Sequence, residues 1–242
     1  MGERRTKAAP RSESQVWLAV ETSTRVGSVG VWRDGLAFEQ TLGIQGVHSE
    51  LLLLAIDQAL GVTQTSPDEV TALVVGSGPG SFTGVRVAAS LAKGWTMARG
   101  TPLYAYSSLL AVAAGSGVAG PVCALFDARR GQVYAACYEL SSEGASEQLA
   151  TGVWRIEELL HELSRRDLTP TFAGEGAIVY SEVIRRSSAD ARVLPEHLAT
   201  PRAASLLWLR NSAPELGLVS RPEVWEPLYV RDWRVPEGQE HA

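Results

Sequence analysis

An α/β protein made of two related halves is the fold class the sequence predicts, and three observations carry it. Short apolar, β-branched runs alternate with helical stretches along the chain. The opening pattern also returns in the middle. Residues 16–20 end in Glu21 and pass through a small polar turn and Gly27 to Val29 and Val31; residues 122–126 end in Asp127 and pass through Gly131 into a second strand. Finally, 242 residues are too many for one small core and suit two compact halves.

Residues 16–20 read as a buried strand. Arg33-Asp34-Gly35 is a hairpin signal, because Asp-Gly supplies the positive φ such a turn needs, so residues 26–32 and 36–42 complete a meander of three antiparallel strands. Residues 48–60 read as a helix, capped at His48 or Ser49 and stopped by Gly61. Leu51, Leu52, Leu53, Leu54, Ala55 and Ile56 follow one another without a polar break, so this helix is expected to pack on two sides. A strand over 70–76 runs through a glycine-rich turn into a helix over about 85–98, with Ser81 as N-cap. Gly84, Ala88, Ala92 and Thr96 recur every four residues, a row of small side chains that lets another helix approach closely.

A strand at 103–106 and a helix at 107–114 precede a hinge at 115–120. Strands follow at 122–126, 132–140, 171–174 and 191–194, with helices at 156–166, 177–186 and 201–211. The aromatic, extended run at 227–233 is expected to dock against the body of the protein.

Composition excludes several functions. The longest apolar runs are much too short to span a bilayer. Residues 1–14 are rich in basic residues, contain Glu3 and Glu13, and have no apolar segment behind them; a solvated tail is expected there, not a secretory signal. Cys123 and Cys137 lack any CxxC or Cys/His spacing, so buried reduced thiols and a cytoplasmic location are expected. The net charge is −5 and no basic cluster follows the tail, which argues against an independent nucleic-acid module, because phosphate neutralisation supplies most of that affinity. Any role with RNA should run through a partner.

The glycine-rich turn offers backbone N–H groups at a helix start, a place where anions bind. It lacks the Lys-Ser/Thr pair of a Walker A loop, and Ser81 stands where G-x-G-x-x-G needs its third glycine. A tight strand-to-helix turn is the better reading. No serine sits in a G-x-S-x-G elbow. His48, His161, His197 and His241 are scattered, and no metal site is expected. Glu21 and Asp127 end equivalent strands and could flank a cleft as paired carboxylates, or simply cap their own turns.

The run Gly78-Pro79-Gly80-Ser81-Phe82-Thr83-Gly84-Val85-Arg86, continuing to Leu91-Ala92-Lys93-Gly94, resembles the signature of TsaB proteins. Around it, in the order of that family, stand Glu21-Thr22-Ser23-Thr24, His48-Ser49-Glu50-Leu51-Leu52, Asp127-Ala128-Arg129-Arg130-Gly131-Gln132-Val133-Tyr134, Gly174-Glu175-Gly176-Ala177 and the closing Pro-Leu-Tyr-Val-Arg. The resemblance covers roughly residues 16–233. It implies the ASKHA (actin-like, RNase H-like) fold, with two duplicated subdomains and mixed central sheets.

It also implies a subunit of the machinery that makes threonylcarbamoyladenosine in tRNA, performing no chemistry itself and using no cofactor. Such a subunit pairs with the related catalytic subunit TsaD, which transfers the threonylcarbamoyl group from the adenylate made by TsaC; the ATPase TsaE joins the pair. TsaD carries a metal-binding His-x-x-x-His on the helix equivalent to 48–60. Here Leu52 follows His48, so the second ligand is missing. Glu21 stands where the family usually has Asp, which disfavours ATP binding there.

Partner contact is therefore expected at His48, Ser49, Leu51, Leu52, Ala55 and Ile56 of the first helix. On the second it is expected at Phe82, Thr83, Val85, Arg86, Ala88, Ala89, Ala92 and Lys93, with two helices from each subunit forming a bundle. A vestigial nucleotide site would comprise Glu21, Thr22, Ser23 and Asp127. Alone, the apolar face should self-pair into a homodimer. The expected layout is a tail at 1–14, subdomains at 15–106 and 107–211, and a closing segment with a polar tail at 212–242. Two other functions compete: an actin-like ATPase or sugar kinase using Glu21 and Asp127, and a glycoprotease, for which no nucleophile–base pair is present.

Overall fold

The computed structural model describes residues 15–43, 49–142, 144–188 and 190–230. His48, residues 1–14 and residues 231–233 of the closing run lie outside them.

β1 (Val16–Glu21), β2 (Val26–Arg33) and β3 (Leu36–Gly43) form the antiparallel meander, with Asp34 and Gly35 at positive φ in the hairpin. α1 (Ser49–Val62) crosses over to β4 (Ala72–Gly76), and α2 (Phe82–Arg99) crosses over to β5 (Leu103–Tyr106); both strands run parallel to β1 in the order β3-β2-β1-β4-β5. After α3 (Ser108–Gly115) the arrangement repeats. β6 (Gly120–Arg129), β7 (Gln132–Ser141) and β8 (Gly144–Arg155) form a second meander. α4 (Ile156–Arg165) leads to β9 (Thr171–Ala173), parallel to β6, in the order β8-β7-β6-β9. Two mixed sheets, a meander extended by two parallel strands in the first and by one in the second, make this an actin-like α/β fold.

The period-2 alternation of strand side chains separates three cores. Val16, Leu18 and Val20 face outward under α1 and α2, whereas Trp17 and Ala19 face the middle of the molecule. Cys123 and Leu125 likewise face outward under α4, α5 (Glu175–Val179) and α6 (Ser181–Ser187), with Val122, Ala124 and Phe126 facing the middle. α3 and α7 (Ala203–Ser212) fill the space between the sheets, so helix and sheet alternate through the molecule. There the Arg210 guanidinium lies 3.9 Å from the Tyr104 ring and 4.7 Å from the Trp17 ring.

After α8 (Pro214–Gly217) the chain returns to the first half. Leu218 bridges Tyr104 antiparallel, and the Val219 N–H donates to Leu103 O at 3.0 Å, which covers the β5 edge. Val219 and Trp225 pack onto the outer core of the first sheet, and the Leu228 N–H donates to Ser77 O at 2.8 Å. Residues 227–230 therefore dock as expected.

Several expectations change. α1 runs through Gly61 to Val62, and the turn comes at Gln64, which takes positive φ. β8 is a twelve-residue strand that the pattern conceals, because as an edge strand it buries little beyond Gly144 and Leu149. The helix expected at 177–186 is two, broken at Tyr180, and the strand at 191–194 reduces to one bridge between Phe172 and Val193. Cys123 and Cys137 lie opposite each other across β6 and β7, both free and buried. Among the described residues no helix is long and apolar enough to cross a membrane.

Candidate partner face and interlobe cleft

α1 has two faces of different character. Leu52, Ala55, Ile56, Ala59 and Leu60, at the i, i+3, i+4, i+7, i+8 spacing, are buried against β2 and β3. Leu51, Leu53 and Leu54 point the other way, with 42%, 57% and 58% of their surface exposed. α2 divides similarly. Gly84, Val85, Ala88, Ala89 and Ala92 are buried beneath it, whereas Phe82 and Met97 are exposed. The row of small residues thus serves the helix's own sheet. A Cβ at Gly84 would collide with the Thr22 carbonyl oxygen, and the Thr22 hydroxyl donates to Gly84 O at 2.7 Å, which brings α2 close to the end of β1. Ser81 caps α2 by accepting from the Gly84 N–H at 3.4 Å.

Between the helices runs an apolar groove of about 630 Å3, lined by Leu52, Leu53, Phe82, Thr83, Arg86, Val87, Ser90 and Leu91. Of the residues expected to meet a partner, Leu51, Phe82, Thr83 and Arg86 are exposed, and the last three line this groove. Leu52, Ala55, Ile56, Val85, Ala88, Ala89 and Ala92 are instead core residues, buried because the sheet claims the inward stripe of each helix. Lys93 pairs with Glu226 at 2.6 Å. Ser49 begins α1. Leu53, Leu54 and Met97 belong to the outward surface and were not anticipated as contacts; Glu50, Asp57 and Gln58 mark that same side of α1 in the sequence.

A second concavity, of about 410 Å3, opens between the lobes and includes Thr22, Ser23, Arg25, Gly80, Asp127, Arg129 and Glu175. Glu21 does not line it. The carboxylate is fully buried, accepts from the Ser23 N–H at 2.6 Å and from the Ser108 hydroxyl at 2.9 Å, and lies where a Cβ on Gly76 would be. The Ser108 hydroxyl in turn accepts from the Gly78 N–H at 3.1 Å, so Glu21 fastens the glycine-rich turn to the start of α3. Burial pushes the Glu21 carboxyl above the ordinary glutamate range, and hydrogen bonds from Ser23 and Ser108 pull it part of the way back.

Asp127 does line the cleft, but it also caps its own turn, accepting from the Arg129 N–H at 2.9 Å. Glu175, an unanticipated member, is raised by desolvation and by the nearby Asp127 charge, against the pull of Arg25 and Arg129. Two carboxylates and two guanidiniums around small hydroxyls give a cleft of balanced charge. Among the described residues no group of three or more His, Cys, Asp or Glu side chains converges on a point where a metal could sit.

Comparison with known proteins places this architecture. A family model described as TsaD, tRNA N6-adenosine threonylcarbamoyltransferase, matches residues 44–235. The tRNA threonylcarbamoyladenosine biosynthesis protein TsaB of Escherichia coli is 29% identical over 233 residues, covering 92% of this chain and 99% of that one. The protein of the same name from Bacillus subtilis is 30% identical over 169 residues, covering 69% and 74%. A crystal structure from Pseudomonas aeruginosa, described as an uncharacterized protein with similarity to peptidase YEAZ, superposes with a TM-score of 0.79 at 29% identity, covering 90% of this chain and all of the other. The chain belongs to the TsaB family of tRNA threonylcarbamoyladenosine biosynthesis proteins.

Proposed function

We propose that this chain is the non-catalytic partner subunit of the tRNA threonylcarbamoyladenosine complex. The outer face of α1 and α2 receives helices of TsaD, and through that pair the chain supports TsaE and tRNA. The observation that carries this reading is the exposed face itself. Leu51, Leu53, Leu54 and Phe82 are all exposed on two helices whose inward stripes already satisfy the fold, and Leu53 and Phe82 line the groove between them. Burying each leucine contributes about 1.5–3 kcal/mol before the costs of association, ample for a stable pair. The buried, doubly hydrogen-bonded Glu21 supports a structural role for the strand-end carboxylate that an actin-like ATPase would use at its cleft.

The test is reconstitution of tRNA modification from purified TsaD, TsaE and TsaC, with this chain, without it, and with the double variant Leu53→Glu/Leu54→Glu. Modification should require the chain and should fall at least about a hundredfold with the variant, because two buried charges abolish an apolar contact. Full modification without the chain would overturn the proposal. Alone, the protein should self-associate through the same face, and light scattering that finds only monomer at micromolar concentration counts against this part of the reading.

A further inference from the structure

Tyr229 lies on neither helix, yet it holds the two α2 side chains that border the groove. Its hydroxyl accepts a hydrogen bond from Arg86 Nε at 3.1 Å. Its ring sits 5.9 Å from the Phe82 ring, tilted by 46°. The Arg86 guanidinium lies 3.8 Å from the Phe82 ring centroid and 5.8 Å from that of Tyr229. Phe82 and Arg86 both line the groove beside Leu53, whereas Tyr229 lines a smaller adjoining cavity with Phe82. The segment carrying Tyr229 has its own anchors, the Leu228 N–H on Ser77 O at 2.8 Å and the Lys93–Glu226 ion pair at 2.6 Å. The tyrosine therefore arrives at the helix from a fixed support.

A half-exposed phenylalanine and an exposed arginine in the first turns of a helix would otherwise sample several rotamers. Resting on the reading of the α1–α2 face given above, we infer that Tyr229 is a positioning residue for partner recognition. It orders Phe82 and Arg86 in advance into an aromatic–guanidinium patch that anchors the helical partner. Aromatic and arginine side chains dominate the energetics of protein interfaces, and each rotamer-rich side chain that must be frozen on binding weakens affinity by roughly two- to tenfold. The closing segment is then part of the recognition surface although it lines an adjoining cavity and not the groove itself.

The experiment titrates purified TsaD onto the full chain and onto Tyr229→Ala, Tyr229→Phe, Arg86→Ala, the Tyr229→Phe/Arg86→Ala double variant and Leu53→Glu/Leu54→Glu, with a melting curve for each. Tyr229→Ala should weaken binding about tenfold, the combined ordering cost of two side chains. Tyr229→Phe keeps the ring contact and loses the hydrogen bond, so it should fall in between. In the Arg86→Ala background Tyr229→Phe should have no further effect, a coupling that general loosening of the segment does not produce. Tyr229→Ala binding at full affinity, or Tyr229→Phe and Arg86→Ala effects that simply add, overturns the inference, whatever the melting curves show. If Leu53→Glu/Leu54→Glu still abolishes binding in that case, the face stands and only the role of Tyr229 falls. Undiminished binding by that variant sinks the face itself.

Discussion

The outer helical layers of the two lobes are built alike on the inside and differently on the outside. α4 buries Ile156, Leu159 and Leu163 and presents Glu157, Glu158 and His161 to water, with Glu162 accepting hydrogen bonds from Arg165 and Arg166. α1 buries Leu52, Ala55, Ile56 and Ala59 with the same helical spacing, yet presents Leu51, Leu53 and Leu54. The inward stripe makes the fold in both lobes. On the reading proposed above, the outward positions decide whether a layer ends at solvent or at another protein, and of these two helices α1 alone has exposed leucines among its described residues.

The largest effect that would sharpen this contrast separates neighbours on α1. Leu52→Ala should lower the unfolding free energy by about 2–4 kcal/mol, while Leu53→Ala should stay within about 0.5 kcal/mol, measured by urea denaturation. Equal losses would mean the two faces are not distinct. Next, Glu157→Leu with His161→Leu on α4 should leave tRNA modification unchanged, because a leucine pair placed in the second lobe has no partner to meet; a loss comparable to that of the α1 charges would erase the contrast.

A smaller effect concerns pH. The folded Glu21 carboxyl has its pKa above the ordinary 4.5, so the native state keeps the proton to higher pH than the unfolded chain. Stability therefore falls as pH rises from 4.5 through the raised value, and is level beyond it. Glu21→Gln keeps an acceptor for the Ser23 N–H and removes the titration, so its stability should lack that fall; parallel stability–pH curves for the two proteins would refute this. The smallest effect belongs to the solvated helix. Arg165 and Arg166 hold Glu162 down to about 2. The contribution is present above pH 4.5 and lost as pH falls toward 2, so Glu162→Gln should be slightly less stable at neutral pH and should lack this part of the acid-limb fall; stability–pH curves for the two proteins that run parallel between pH 4.5 and 2 would contradict it.

Much of the architecture was legible because hydrophobic period and turn chemistry are local. The meander around Asp34-Gly35, the repeated strand-end carboxylates and the Ser81 cap all stand where the sequence puts them. The orientation of α1 was partly legible too: Asp57 and Gln58 mark the wet side and place Leu53 and Leu54 with them, but six consecutive apolar residues mask that signal. The small-residue row of α2 was misassigned because close packing onto the end of β1 and close packing onto a partner demand the same side chains. Glu21 and Asp127 look equivalent in sequence. They differ because Ser108, far along the chain, captures one carboxylate and leaves the other at the cleft. β8 was hidden because an edge strand needs little apolar content.

Val219 and Trp225 complete the outer core of a sheet whose strands end at residue 106. During synthesis, more than a hundred residues must therefore be added after β5 before those two side chains leave the ribosome. Until then the nascent first lobe carries an open β5 edge and an unfilled hydrophobic seam. Its consolidation is a late event, tied to the emergence of the segment after α8 rather than to that of its own strands.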